Sequence, residues 1–138
     1  DIVSYVWDKI LYNCALNPLG AILEVNYGVL GELTVLKTIM NEIVKEIFVV
    51  AKAHHVPLFW PSAEAYLDHF YTKLLPPTAA HRPSMLQDIQ KGKRTEINAL
   101  NGAIVRLGKD VGIETPINSI ITYLLKGKEQ ICNQRQKN

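Results

Sequence analysis

Apolar side chains recur every three or four residues along most of the chain, which is the spacing of one face of an α-helix. The clearest example runs from Glu32 to about His54, where the repeating apolar residues are Leu33, Leu36, Ile39, Met40, Ile43, Ile47 and Val50. No six-residue stretch alternates cleanly between apolar and polar side chains, as a half-buried strand would. The pattern therefore predicts an all-α fold, a compact multi-helix bundle.

Prolines and capping residues predict the ends of the earlier helices. The first helix is expected to end near Asn17, because the residue before a proline disfavours the α conformation, and Pro18 would then begin a short new helix. Ser62 is a candidate N-cap for a helix over residues 63–75. That helix should stop at Pro76-Pro77, since two prolines cannot continue it.

The second half of the chain predicts three further helices. A short one is expected at Ser84 to Gln90, and Thr95 is expected to cap a longer one that runs to Gly112. The last should run from about Pro116 to Lys126 and leave a polar tail. Glu46, deep in the long apolar helix, is expected to be partly buried and to accept a hydrogen bond from a neighbouring helix.

Length and composition narrow the classes of protein. A chain of 138 residues with 48% hydrophobic residues fits a single folded domain over residues 1–138. Its formal charge of +2 argues against nucleic acid or a membrane as a partner. Cys14 and Cys132 lie far apart, which favours reduced thiols and a cytoplasmic protein. The eight glycines form neither a dinucleotide-binding nor a P-loop motif.

Three polar residues at four-residue spacing stand out in the first helix: Lys9, Asn13 and Asn17. Four residues advance a helix by about 400°, so the three side chains form one stripe. Lys9 alone is compatible with a lysine that extends its ammonium into water. The asparagines are compatible with hydrogen bonds at a helix end or between helices. Their coincidence on one stripe favours a wet or ligand-lined face.

Ser84 and Thr95 each lie where a helix could begin, and Glu96 would lie in a first helical turn, so Ser84 and Glu96 are a second pair of candidates. Helix N-termini offer backbone N–H groups to anionic or polar ligands. Ser84 is equally compatible with ordinary capping, and Glu96 with a surface carboxylate that complements the helix dipole. Without further information both alternatives stay open.

These motifs together resemble the C-terminal domain of ketopantoate reductase (2-dehydropantoate 2-reductase). The resemblance rests on Lys9 with asparagines four and eight residues later, the following NPL, and the segments HRPSMLQD, TEINALNGA and RLGKDVGIETPIN. It covers nearly the whole chain. It implies a helical domain like the C-terminal domain of 6-phosphogluconate dehydrogenase, preceded by a Rossmann domain that binds NADPH. The first residue is Asp1 rather than Met, and helical periodicity begins at once, so the chain is also expected to be cut from a longer one.

The resemblance also implies roles for the five candidate residues. Lys9 matches the catalytic lysine, a general acid on the ketone oxygen, and Glu96 matches the acidic residue that organises the substrate and the lysine. Asn13 and Asn17 match asparagines that line the substrate site, and Ser84 matches the serine that hydrogen-bonds the polar end of the substrate. These roles suit the chemistry, because hydride addition to a carbonyl builds negative charge on oxygen that an ammonium can neutralise.

Four positions depart from the family pattern. Tyr27 stands where asparagine often precedes Gly28, and His81 stands where some members carry asparagine. These two changes leave the substrate open. Asn98 replaces the usual aspartate of TEID, and His55 replaces the usual glycine after the long helix, changes expected to affect packing. The four histidines have no partners at zinc-site spacing, so no metal site is expected.

The main interpretation is therefore the catalytic and substrate-binding domain of an NADPH-dependent reductase that converts a 2-keto acid, ketopantoate, to pantoate on the route to pantothenate and coenzyme A. Such a domain is expected to be inactive without its Rossmann partner. One alternative is a helical dimerisation module, with a homodimer formed through the helix at 32–54. Another is a related 2-hydroxy-acid dehydrogenase with a different substrate.

Overall fold

The computed structural model describes residues 1–137, and all of their regular secondary structure is helical. The α-helices are α1 (Ile2–Leu23), α2 (Tyr27–Glu32), α3 (Thr34–Ala53), α4 (Ala63–His69), α5 (Ser84–Gln90), α6 (Asn101–Asp110) and α7 (Pro116–Lys137). A π-helical turn at Phe70–Leu74 and 3₁₀ turns at Pro76–Thr78 and Ile97–Ala99 lie between them. The predicted all-α class is confirmed, and so is the long third helix.

One hydrophobic core unites the bundle. α1 lies at its centre and packs against α3, α5 and α7, while α6 packs along α7. The core contains apolar side chains from all these helices, among them Leu11, Leu16, Met40, Ile43, Ile47, Leu86, Ile104 and Leu125. Both cysteines are free thiols, and burial raises the pKa of the Cys14 thiol well above its usual range. None of the helices in residues 1–137 combines the length and the hydrophobicity that a membrane span requires.

α1 does not end near Asn17, as the sequence predicted, but continues through Pro18 to Leu23. Pro18 lacks the N–H that would bond the carbonyl of Cys14 one turn earlier. The side-chain amide of Asn101 donates to that carbonyl instead, at 3.2 Å. A residue from α6 thus replaces the missing hydrogen bond, and the helix tolerates its proline.

α7 begins at Pro116 as predicted, and Glu46 explains why. The half-buried Glu46 carboxylate accepts hydrogen bonds of 2.9 Å from the backbone N–H groups of Ile117 and Asn118. It also accepts one from the Asn118 side chain, at 2.9 Å. Glu46 therefore caps α7 from α3, which confirms the predicted interhelical hydrogen bond and satisfies N–H groups that a helix leaves unpaired at its start.

The expected polar tail after Lys126 is wrong, because α7 continues to Lys137. Its later turns are tied to the rest of the bundle. The Lys128 ammonium donates to the carbonyls of Ala21 and Ile22 at the end of α1, at 2.6 and 3.1 Å. Tertiary contacts of this kind stabilise a polar helix that its own sequence only weakly favours.

The remaining boundaries follow local capping. Ser62 caps α4 by accepting from the N–H of Ala65, and α5 spans Ser84–Gln90, both as predicted. Thr95 does not cap α6, which begins only at Asn101. Its hydroxyl instead accepts from the N–H of Ile97 at 3.3 Å and donates to Glu129 at 3.1 Å, so a 3₁₀ turn precedes α6.

Candidate active site

α1 presents Lys9, Asn13 and Asn17 one turn apart, and the three side chains differ in exposure. Lys9 is exposed, Asn13 is half-buried and Asn17 is only 5% exposed. The stripe that the sequence predicted therefore runs from the surface into the interior. It ends at the beginning of α5.

Asn17 joins the stripe to Ser84. The residue before α5 is Pro83, which provides no side-chain cap. Asn17 acts in its place: its carbonyl oxygen accepts from the N–H of Met85 at 3.1 Å, and its amide nitrogen donates to the Ser84 hydroxyl at 2.9 Å. The structure thus brings Asn17 and Ser84 together, while the exposed Ser84 still faces the surface.

The loop that leads into Ser84 is held by the first turn of α2. The N–H of Tyr27 donates to the carbonyl of His81 at 3.2 Å, and the N–H of Gly28 donates to the carbonyl of Ala79 at 2.8 Å. A Cβ at position 28 would lie only 3.0 Å from the side chain of Ala79, so glycine permits this close approach. The loop position, and with it Ser84, is consequently well defined.

Two of the four departures from the family pattern, Tyr27 and His81, are neighbours in space. Their ring centroids lie 6.5 Å apart. Tyr27 is buried and packs edge-on against Tyr12, and burial together with Tyr12 raises the pKa of Tyr27 to about 12, so the phenol stays neutral near pH 7. His81 is exposed. Of the pair, His81 is the one whose side chain lies at the surface.

The Lys9 ammonium lies over an aromatic ring that the sequence analysis did not single out. Its Nζ is 5.0 Å from the ring centroid of Tyr5, one turn earlier in α1. The amine therefore points towards the N-terminus, away from Asn13. Within residues 1–137 the Asn13 side chain makes no hydrogen bond, so its amide is free to bind a ligand. The signal for Tyr5 was present, since residues four apart are neighbours on a helix.

Glu96 is exposed at the start of the 3₁₀ turn before α6. Its backbone carbonyl accepts from the N–H of Ala99 at 2.9 Å. In the described part of the chain its carboxylate forms no ion pair with Lys9. The structure thus joins Asn17 to Ser84 directly, and leaves the polar groups of Lys9, Asn13 and Glu96 accessible.

Comparison with known proteins decides the family. The family model described as "Ketopantoate reductase PanE/ApbA C terminal" matches residues 1–129. The chain belongs to this family. Among its relatives, the 2-dehydropantoate 2-reductase of Aquifex aeolicus is 57% identical over 129 residues, covering 94% of this chain and 41% of that protein. The Pyrococcus abyssi enzyme of the same name is 38% identical over 131 residues, covering 95% and 42%.

Solved structures agree with the family. A PanE/ApbA family ketopantoate reductase from Ralstonia eutropha superposes with a TM-score of 0.80 at 35% identity, covering 94% of this chain and 42% of that one. D-mandelate dehydrogenase in complex with NADH gives a TM-score of 0.85 at 33% identity, covering 96% and 44%. The chain thus spans about two fifths of the length of the ketopantoate reductases it matches.

Proposed function

We propose that this chain is the substrate-binding and catalytic domain of a 2-dehydropantoate 2-reductase, which reduces ketopantoate to pantoate on the route to pantothenate. The observation that carries the proposal is the polar stripe of α1. It presents an exposed ammonium and a free amide, and it leads through Asn17 to Ser84. The 57% identity to the Aquifex aeolicus reductase over the same residues supports this assignment.

The chemistry follows from the groups on this face. Ser84 and Asn13 are uncharged, so they can hydrogen-bond the polar end of a keto acid without opposing its carboxylate. Lys9 would donate a proton to the ketone oxygen as the carbonyl carbon gains a hydride, leaving a neutral amine that water reprotonates. To do so, its flexible side chain must leave the Tyr5 ring and turn towards Asn13. Glu96 would then hold the ammonium or the substrate.

The hydride would come from a reduced nicotinamide nucleotide, for which NADPH remains the expected form. The described residues contain no strand and no glycine-rich turn between a strand and a helix, so they do not suit a dinucleotide. The binding site for the nicotinamide nucleotide would therefore lie in the remainder of the polypeptide. The first turns of α1 expose Ile2, Val3, Tyr5 and Val6 beside Lys9. We assign this face to the domain that holds the nucleotide.

A related 2-hydroxy-acid dehydrogenase is the second candidate. The D-mandelate dehydrogenase structures favour it, because they match this chain at TM-scores of 0.83 and 0.85. Tyr27 and His81, which depart from the pattern of the reductases, also leave room for a different substrate. The identity to these dehydrogenases is 34% and 33%, well below the 57% to the Aquifex aeolicus reductase, so the reductase is preferred.

A substrate comparison separates the two candidates. The polypeptide that joins this chain to its nucleotide-binding domain would be assayed with ketopantoate and, separately, with the keto acid of mandelate, each with NADPH or NADH. The reductase assignment predicts a higher kcat/KM for ketopantoate. A higher kcat/KM for the aromatic keto acid would instead support the assignment as a 2-hydroxy-acid dehydrogenase.

Lys9→Ala tests the mechanism in the same polypeptide. We expect kcat to fall by about a hundredfold or more, the usual contribution of a general acid. Lys109→Ala, which removes another exposed lysine, at the end of α6, is the matched control and should leave kcat unchanged. Equal turnover in the two variants would exclude Lys9 as the proton donor.

A further inference from the structure

The first turns of α1 have little contact with the hydrophobic core. Among residues 1–10 only Ser4 is buried, whereas four of the six residues at 11–16 are fully buried. A helix end opens easily when few tertiary contacts hold it. Lys9 lies in this stretch, so the position of its amine depends on whatever else holds the first turns of α1 in place.

Two hydrogen bonds hold this stretch, and both come from the segment that joins α3 to α4. We call this segment, residues 55–61, the strap. The Ser4 hydroxyl donates to the carbonyl of Pro57, and the Asp8 carboxylate accepts from the indole N–H of Trp60 at 3.1 Å. Ser4 and Asp8 are one turn apart, so the strap contacts two successive turns of α1.

The strap is itself held at both of its ends. The N–H of Val56 donates to the carbonyl of Ala51 at 2.9 Å, which ties the strap to the end of α3. At its other end, Ser62 caps α4. Pro57 and Pro61 each fix one backbone dihedral angle of the segment. The strap therefore has little freedom to move away from α1.

The Trp60 ring is held by two aromatic neighbours from α4. Its ring centroid lies 4.6 Å from that of His69 and 6.1 Å from that of Tyr66, which it meets edge-on. Tyr66 is fully buried and anchors this contact in the core. The indole N–H is thus presented to Asp8 from a defined position. Within residues 1–137, the Asp8 carboxylate has no other hydrogen-bond or ion-pair partner.

The strap lies on the side of α1 opposite to the exposed apolar face. Ser4 and Asp8 are each two positions from Val6, which is about 160° round the helix. Val6 belongs to the face that we assigned to the nucleotide-binding domain. When that domain docks on the outward side of α1, the strap supports the same turns from the inward side.

We propose that Asp8 and Trp60 are positioning residues: their hydrogen bond fixes the turn of α1 that carries the Lys9 amine. Lys9 directly follows Asp8 in the chain, so any opening or rotation of this turn displaces both residues together. Neither Asp8 nor Trp60 has to touch the substrate. The inference rests on the proposed function, because it concerns the placement of the proposed proton donor.

Two substitutions of Asp8 in the complete polypeptide test the proposal. Asp8→Ala removes the acceptor, and we expect kcat with ketopantoate to fall at least about fivefold, because a small misplacement of a reacting group is costly. Asp8→Asn keeps a side-chain oxygen that can accept from Trp60, so it should restore kcat. Asp110→Ala, at an exposed aspartate of α6, is the matched control and should leave kcat unchanged. A low kcat in Asp8→Asn as well would overturn the proposal.

The same substitution in a Lys9→Ala background separates positioning from a general structural effect. If Asp8 acts through Lys9, Asp8→Ala lowers kcat no further once the amine is gone. An equal loss in both backgrounds would overturn the proposal. A slow Lys9→Ala variant beside a normal Asp8→Ala variant would overturn this inference alone, whereas normal turnover of Lys9→Ala would contradict the proposed function itself.

Hydrogen exchange followed by mass spectrometry measures the opening of α1 directly. Trp60→Phe keeps an aromatic ring but removes the N–H. We expect the peptide of residues 1–10 to exchange roughly fivefold faster in Trp60→Phe and in Asp8→Ala, the effect of losing one hydrogen bond. Peptides from α6 should exchange at the rate of the unaltered protein. Unchanged exchange at residues 1–10 in both variants would show that the strap does not hold this turn.

Discussion

Lys9, Asn13 and Asn17 show how one spacing along a helix produces three different environments. The stripe runs from the surface into the bundle. Lys9 is therefore exposed to solvent, while Asn17 is buried where α1 packs against α5. Asn17 therefore has a structural task besides any contact with substrate, since it satisfies an N–H of α5 that Pro83 leaves uncapped. A buried N–H without a partner costs about 1–3 kcal/mol.

Asn17→Ala is accordingly expected to lower the free energy of unfolding by about 1–3 kcal/mol, because it strands the Met85 N–H. Asn13→Ala removes the same side chain one turn earlier, where no hydrogen bond is lost, and should change stability by about 0.5 kcal/mol or less. Urea denaturation of the two variants provides the comparison. Similar midpoints would mean that Asn17 does not support α5.

The sequence could predict the identity of the candidate residues but not their arrangement. The resemblance selected Lys9, Asn13, Asn17, Ser84 and Glu96 from motifs, and their roles stay predictions. That the Lys9 ammonium lies on Tyr5 is a matter of side-chain conformation, which spacing does not determine. That Asn17 rather than Ser84 caps α5 depends on how α1 and α5 pack, and no local pattern contains that information.

At the scale of helices, the sequence predicted a helix end correctly where a neighbouring residue caps the helix. Ser62 is an example, since its hydroxyl satisfies α4 three residues later. The prediction failed where a distant residue intervenes. Asn101 allows α1 to pass through Pro18, although it is 83 positions away in the sequence, and Lys128 helps α7 to continue beyond Lys126. Helix ends set by tertiary contacts are not readable from neighbouring residues alone.

The end of α3 provides a prediction at this scale. His55 follows α3 with φ of 58°, a left-handed conformation that costs a residue with a Cβ about 1–2 kcal/mol. His55→Gly removes that strain, which stabilises the folded chain. Glycine also raises the entropy of the unfolded chain, which offsets part of the gain, so we expect a net stabilisation of about 0.5–1 kcal/mol.

His55→Ala is the control, because alanine keeps the strained Cβ and should give no gain. Thermal unfolding followed by circular dichroism would compare the two variants with the unaltered chain. If alanine stabilises as much as glycine, the histidine ring rather than the backbone conformation is the source of the strain.

For the whole molecule, the first turns of α1 give the bundle an exposed apolar face. The face around Ile2 and Tyr5 lies beside Lys9, and we assign it to the nucleotide-binding domain of the same polypeptide.

The central claim is that the Lys9 amine delivers the proton to the ketone oxygen, and chemical rescue tests it most directly. Turnover of Lys9→Ala in the complete polypeptide would be measured with ketopantoate and NADPH as the concentration of a small primary amine is raised. The account predicts a low rate without amine and a rate that increases with the amine, whereas Lys109→Ala shows no response. A Lys9→Ala variant that already turns over at the rate of Lys109→Ala would contradict it.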